Sequence, residues 1–386
     1  MVTMLTQNTR EKVISLLERL ISYNTVSDQS VLPMATFLAE SAENMGFSVH
    51  TFETSAQKTN IIAQIGPQED GVVFCGHMDV VPVDGQSWNT NPFKAHIEAK
   101  KVYGRGSCDM KGFFASTMVA LNDLPLHQLK KGISLIWTHD EEIGCLGAEA
   151  LVSQVKESDL VFPKTMLIGE PTELRICRMH GGHITLDVEI QGVPAHSSKP
   201  HLGCNSIEIL GELIMALRQF QITLAEQPSP HPEMKCAHSL INLATVEGGT
   251  AVNILPERTK LRLGMRPMPG HSSKDMITKV EEILFSINKR FPQANLSSVL
   301  IQEAPPMVTP RGTLLEQHLN NILSTSSTIG VPFATDGGRL TDLGFTPLIC
   351  GPGSIEQAHK ANEFVSMNQL FESVELNRNL LQNWCF

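Results

Sequence analysis

The sequence predicts an α/β fold: a mostly parallel sheet with flanking helices, interrupted by an inserted α+β unit. Three observations predict it. Short continuous apolar runs, NIIAQI, GVVFC, ISLIWT, TMLIG and TPLIC, recur along the chain, as expected of strands buried on both faces. A helical stretch from Met110 to Leu124 separates two of them, and strand–helix alternation argues for an α/β sheet. Between residues 180 and 303 the pattern changes to strict apolar–polar alternation, the mark of half-exposed strands.

The elements follow in order. Val13, Leu16, Leu17 and Leu20 recur at helical spacing, with Asn8 and Glu11 placed as a capping box. A second helix is expected over 30–45, stopping at Gly46. In the insert, Ile184, Leu186, Val188 and Ile190 alternate along a strand. A helix follows, with Ile207, Leu210, Leu213, Ile214 and Leu217 on one face. Strands at 239–247 and 257–267 flank the turn-rich EGGTAVN. A helix through Ile277, Val280, Ile283, Leu284 and Ile287 and the strand SSVLIQ close the set. The order βαββαβ fits a ferredoxin-like unit. It assigns residues 1–179 and 304–386 to one domain and 180–303 to the insert, with EAPPM as the return linker.

A chain of 386 residues with 41% apolar and 18% charged residues is long and apolar enough for a sizeable core. Lys and Arg number 30 against 40 Asp and Glu, a net charge of −10, which argues against nucleic acid as the main partner. Eight cysteines are dispersed with no CxxC pair. That excludes thiolate zinc ribbons and thioredoxin-like motifs and fits a reduced, cytoplasmic protein. No secretory signal and no membrane span are expected.

The chemistry lies where the strands end. Ligands of open α/β sheets bind beyond the carboxyl ends of the strands. GVVFC is followed by His77 and Asp79, ISLIWT by His139-Asp140-Glu141-Glu142, TMLIG by Glu170, and TPLIC by a Gly-Pro loop and His359. Gly104-Arg105-Gly106-Ser107-Cys108-Asp109 is loosened by glycine and opens a helix. Two imidazoles and several carboxylates without thiolates suit zinc, cobalt or manganese in a catalytic site. The set exceeds what one ion needs, and two ions bridged by one carboxylate would use it fully. Asp109 is a sensible bridge. Asp79 shares a face with His77 and can fix its tautomer. Glu141 and Glu142 diverge, so one can ligate while the other stays free as a base. Taken singly, each residue has an ordinary alternative. Asp109 is a helix N-cap candidate, and the two glutamates could be a solvated pair. His180 and His183 read as structural histidines rather than a second metal pair. HExxH, GxSxG and Walker A motifs are absent.

GHMDVVPVDGQSWNTNPF, YGRGSCDMKG, DEEIGCLGA, GEPT, GVPAHSSKPHLGCNSI and GPGSIEQAHKANEFV resemble the co-catalytic zinc aminoacylase and carboxypeptidase family over nearly the whole chain. The resemblance implies a zinc exopeptidase-like fold with the insert as lid and dimerisation domain. It implies two Zn2+ per subunit, with Co2+ as a substitute. One ion would be held by His77 and Glu170, the other by Glu142 and His359, with Asp109 bridging them. Asp79 would orient His77, and Glu141 would be the base. A cis peptide would follow at Asp109–Met110. His196 would reach the partner subunit's site and stabilise an oxyanion. Asn253 and Arg266 would hold a substrate carboxylate, and Asp336 and Gly337 would lie in a substrate loop. The implied activity is amide hydrolysis of a small N-acyl amino acid by a homodimer. A dipeptide substrate, a non-catalytic amino-acid binder and a scaffold that dimerises without metal are the alternatives.

Overall fold

A computed structural model describes residues 5–386 as two compact units. One comprises the chain up to Met179 with Thr309–Ile329 and Thr335–Phe386. The other comprises His180–Val308 with Gly330–Ala334. The return to the first unit falls at Thr309 rather than at 304, because the last insert strand runs on through Ala304. The second, short crossing at Gly330–Ala334 has no counterpart in the sequence reading.

The first unit is built on a large mixed sheet. Its strands are β1 (Ser48–Ser55), β2 (Lys58–Ile65), β3 (Gly71–His77), β4 (Gly132–Thr138), β5 (Thr165–Pro171), β6 (Cys177–His180) and, after the insert, β11 (Thr346–Gly351). They run in the order β1-β2-β4-β3-β5-β11-β6. Pairs β3–β4, β3–β5 and β5–β11 are parallel. Every residue of β3 and β4 is buried, as expected of strands covered on both faces. NIIAQI departs from the expectation. It lies in β2, which runs antiparallel to β4 and forms a hairpin with β1. Burial on both faces produces the same apolar run in either direction, so composition could not give the sense of the strand. SVHTFETS, half exposed along β1, has no such run and gives no strand signal.

Helices cover the sheet: α1 (Gln7–Ile21), α2 (Leu32–Asn44), α3 (Gly112–Asn122), α4 (Leu146–Lys156), α7 (Leu314–Leu323) and α8 (Met367–Cys385). Helix α1 buries Val13, Leu17, Leu20 and Ile21. Its cap is Thr6, whose extended backbone lets Oγ1 accept from the Thr9 N–H at 3.2 Å. The expected Asn8–Glu11 box falls inside the helix. Helix α3 is buried almost all round and packs against α8 and α1. Close approach of α3 to the sheet needs a glycine. A Cβ on Gly169 of β5 would lie 1.9 Å from Cγ of Phe113.

The second unit carries β7 (His183–Gln191), α5 (Ser206–Ala225), β8 (Leu240–Gly248), β9 (Arg258–Arg266), α6 (Ser273–Arg290) and β10 (Asn295–Ala304). The sheet order is β8-β9-β7-β10, antiparallel throughout, the ferredoxin-like arrangement. Burial alternates along β7. Its inward residues pack with Leu213 and Leu217 of α5 and Val280 and Leu284 of α6 in one apolar cluster. Among the described residues no helix is long and apolar enough to cross a membrane.

Candidate metal centre and active site

Four parallel strands and the loops that follow them build most of the site. His77 is the last residue of β3, Glu170 lies near the end of β5, and Glu141 and Glu142 follow β4. His359 lies in the loop after β11, with a left-handed φ of 64°. Asp109 comes from a distorted turn, Ser107–Lys111, where it and Met110 leave helical geometry. The Asp109–Met110 peptide is cis. Gly106 supports this turn with φ 79°, and a Cβ there would lie 2.8 Å from Val80 and 2.9 Å from Lys111. Helix α3 takes no side-chain cap, so the carboxylate of Asp109 is not spent on one.

Asp109 divides its two oxygens between two imidazoles. His77 Nε2 lies 3.1 Å from Oδ1, and His359 Nε2 lies 3.4 Å from Oδ2. Glu170 Oε1 completes the first group at 3.7 Å from His77 Nε2, and Glu142 Oε2 completes the second at 2.9 Å from His359 Nε2. His77, Asp109 and Glu170 form one cluster, and Asp109, Glu142 and His359 another. Within each, one ligand atom per residue lies within 4.8 Å of the others. The donors are nitrogen and oxygen only, which fits a pair of divalent ions sharing one carboxylate. Glu141 belongs to neither cluster. The weakly donating Cys145 thiol lies 3.7 Å from its Oε1, and among the described residues no stronger hydrogen bond holds the carboxylate's proton affinity down.

The electrostatics are those of a buried pocket dominated by carboxylates. Burial opposes charge on His77, yet the Asp109 hydrogen bond and nearby carboxylates raise its pKa well above the usual value. Hydrogen bonds that His359 donates to Asp109 and Glu142 lift its pKa to about 10. Asp109 is held low: burial raises it, but the bonds from His359 and His77 outweigh that. Burial pushes Glu141 and Glu170 well up, and Glu142 up as well. Burial likewise takes Asp336 to about 6, against the bond from Thr138.

Asp79 is placed differently from the expectation. The imidazole Nδ1 of His77 donates to the Asp79 main-chain carbonyl at 2.9 Å, while the nearest carboxylate oxygen is 3.6 Å away. A carbonyl only accepts, so Nδ1 carries the proton and Nε2 offers its lone pair to the cluster. The Asp79 carboxylate instead accepts from the Glu141 N–H at 3.1 Å, the Glu142 N–H at 3.2 Å and Ser27 Oγ at 2.9 Å. It therefore sets the backbone that carries both glutamates.

The neighbouring histidine and aspartate turn away. His139 bonds Thr54 at 2.8 Å, and Asp140 takes Lys58 at 2.6 Å. Asp336, expected to lie in a substrate loop with Gly337, is not exposed. It is buried at the start of the short helix Gly337–Leu340 and accepts from Thr138 at the end of β4. Gly337 is buried with it, because Leu340 packs fully inside.

The remaining expected residues lie in the second unit. His196 is exposed, and its Nδ1 accepts from the Ser198 N–H at 3.2 Å. That leaves the proton on Nε2, facing outward as a donor. Its loop pairs with the Asn253 loop: Ser197 N donates to the Asn253 carbonyl at 3.0 Å. Arg266 is exposed at the end of β9. Its strand neighbour Arg262 is forked onto Asp187 at 2.7 and 2.8 Å, whereas Arg266 makes no ion pair among the described residues. His180 and His183 form no metal cluster there either. His180 Nδ1 bonds the Gly181 carbonyl and His183 Nε2 bonds Thr185. Burial lowers both to about 4, with Arg266 adding to the effect at His183.

Sequence reasoning missed the residues that hold the ligands. Ser27, Thr138, Arg105 and Glu363 are buried polar side chains around the cluster. For Glu363 a signal existed, since it falls four residues after His359 in the segment AHKANE.

Residues 73–383 match the sequence pattern of peptidase family M20/M25/M40. The chain is 30% identical over 380 residues to an acetylornithine deacetylase of Buchnera aphidicola subsp. Schizaphis graminum, covering 97% of this chain and 98% of that one. It is 33% identical over 360 residues to the acetylornithine deacetylase of Pectobacterium atrosepticum, covering 93% and 92%. Its fold is similar to that of Sso-CP2, an M20 family metallo-carboxypeptidase from Sulfolobus solfataricus. The TM-score is 0.76 at 17% identity, over 96% of this chain and 98% of that one.

Proposed function

The chain belongs to peptidase family M20/M25/M40 and is a metal-dependent hydrolase, and from that premise we propose that it is an acetylornithine deacetylase. It removes the acetyl group of N2-acetyl-L-ornithine to give L-ornithine and acetate, a step of arginine biosynthesis, as a cytoplasmic homodimer. The substrate choice rests on the two relatives that carry that name at 30% and 33% identity over nearly their whole length. The chemistry rests on one observation: Asp109 gives one oxygen to the His77 group and the other to the His359 group.

In this reading His77, Asp109 and Glu170 would hold one Zn2+, and Asp109, Glu142 and His359 would hold the second, with Co2+ as a substitute. Bound there, such ions lower the pKa of a water toward neutrality and polarise the acyl oxygen. Glu141 takes the proton of the attacking water on a carboxylate oxygen. Burial lifts its pKa, which makes it a better base near neutral pH. It then returns the proton to the leaving amine. His196 serves the developing oxyanion from the partner subunit, through the Nε2–H that Ser198 leaves free. Among the described residues Arg266 has no acidic partner to neutralise it, and it offers a planar fork to the substrate carboxylate. Asn253 stands beside the His196 loop for the same task. The insert acts as lid and dimerisation domain.

Acyl release, read as acetate or, for the succinyl compound, as succinate, tests the substrate. The zinc- or cobalt-loaded protein is given N2-acetyl-L-ornithine, acetylmethionine, acetylcitrulline and succinyl-diaminopimelate. A strong preference for acetylornithine is expected. Preference for another acyl amino acid would discard the substrate and keep the metal mechanism.

A further inference from the structure

We propose that the buried pair Glu363–Arg105 is the positioning device of the two-ion site, setting the bridging Asp109 and His359 in place before any ion binds. The inference rests on the metal-site reading above. Glu363 and Arg105 are both about 1% exposed, and Arg105 Nη1 meets Glu363 Oε2 at 2.8 Å. The carboxylate does much more than neutralise the arginine. Oε1 accepts from the main-chain N–H of Cys108 at 2.9 Å and of Asp109 at 3.1 Å, and Oε2 accepts from Gly106 at 3.0 Å. Four donors converge on two oxygens, and three of them belong to the turn that presents Asp109. This turn has little regular structure of its own, since Asp109 and Met110 are non-helical. Without an acceptor these N–H groups would be buried and unpaired, which a native structure avoids.

Arg105 closes the other half of the device. Its Nη2 donates to Gln86 Oε1 at 2.6 Å, and Gln86 Nε2 donates to the His359 carbonyl at 2.9 Å. The two segments are also zipped together. Phe364–Ser366 pairs antiparallel with Lys101–Tyr103, and Gly104 N donates to the Glu363 carbonyl at 2.9 Å. One ion pair thereby ties a ligand of α3's leading turn to a ligand of the loop after β11, two segments some 250 residues apart in sequence. Such outer contacts raise metal affinity by holding ligands in their bound geometry. Neither residue touches the reacting atoms, so both are positioning residues.

The test is titration of metal-free protein with Co2+, followed by calorimetry and by the cobalt absorption spectrum. Glu363→Gln offers an amide N–H where two main-chain N–H groups need an acceptor. It is expected to weaken at least one of the two binding steps about 10–100-fold and to shift the spectrum. Leu17→Ala, a cavity variant in α1, controls for lost stability alone: it lowers the melting temperature and leaves both steps and the spectrum unchanged. Parent-like binding and spectrum in Glu363→Gln would overturn the proposal. If that variant does not fold, amide exchange of the metal-free parent decides. Protected Gly106, Cys108 and Asp109 amides support a preformed clamp, and rapid exchange at all three overturns it. A parent protein that binds no divalent ion would instead refute the metal site itself, a separate outcome.

Discussion

At the scale of single residues, the site works by dividing the polar groups of one residue between different partners. Asp79 illustrates it: its carbonyl fixes the His77 tautomer, and its carboxylate carries the Glu141 and Glu142 backbone. Asp79→Asn replaces an acceptor by a donor facing a main-chain N–H. We expect kcat to fall about 10–100-fold, with the melting temperature of the protein little changed. His196→Ala removes the exposed Nε2 donor together with the Nδ1 acceptor of the local Ser198 turn. Its expected effect is a loss of about 10²–10³ in kcat with unaltered metal content, read by steady-state kinetics and elemental analysis. Four of the five ligand candidates were legible in the sequence because each ends or follows a buried strand, where an acid or imidazole has no packing reason to be; Asp109 was legible from the glycine-loosened segment that opens a helix. The supports were not. Nothing near Glu363 in sequence says that its carboxylate meets three N–H groups more than 250 positions away. Nothing local told that the carbonyl of Asp79, rather than its carboxylate, would take the imidazole proton.

At the scale of elements, the strand runs and helical stripes carried the architecture. The apolar runs located five strands of the large sheet, and alternation located β7. What they could not convey was direction and register. β2 reads like its parallel neighbours yet runs the other way, and β1, half exposed, left no pattern. The termini of helices moved by a few residues for a local reason, as Thr6 rather than Asn8 capped α1. Packing between elements yields its own prediction. Gly169 lets the Phe113 ring of α3 lie against β5, and a methyl group there would overlap the ring at 1.9 Å. Gly169→Ala should destabilise the protein by about 1–3 kcal/mol, seen as a lower midpoint in urea with an unchanged slope. An unchanged midpoint would mean that α3 yields more easily than a close-packed core does.

At the scale of the whole molecule, protons and metal ions are linked to stability. His180 and His183 have folded-state pKa values of about 4, below the usual 6.5. Above 6.5 they are neutral folded or unfolded and add no pH dependence. As pH falls from 6.5 to 4 the unfolded chain takes up two protons that the folded chain refuses, so stability drops over that window. His183→Gln should flatten the decline measured by melting temperature. The metal-binding loops predict a dependence of the same sign over a higher pH range. His359, held near 10 by Asp109 and Glu142 in the metal-free protein, must release its proton to ligate. Ion affinity should therefore rise with pH up to that value, with proton release measurable in buffers of different ionisation enthalpy. Chelation should abolish turnover and re-addition of zinc or cobalt restore it.

The central claim is a two-ion site in which Glu141 moves the proton and takes no part in holding the ions. The most direct measurement is turnover of N2-acetyl-L-ornithine by Glu141→Ala alongside its bound-metal stoichiometry. The account predicts two ions per subunit, as in the parent, with kcat lowered by about 10²–10⁴. Retention of most activity, or loss of both ions with the side chain, would contradict it.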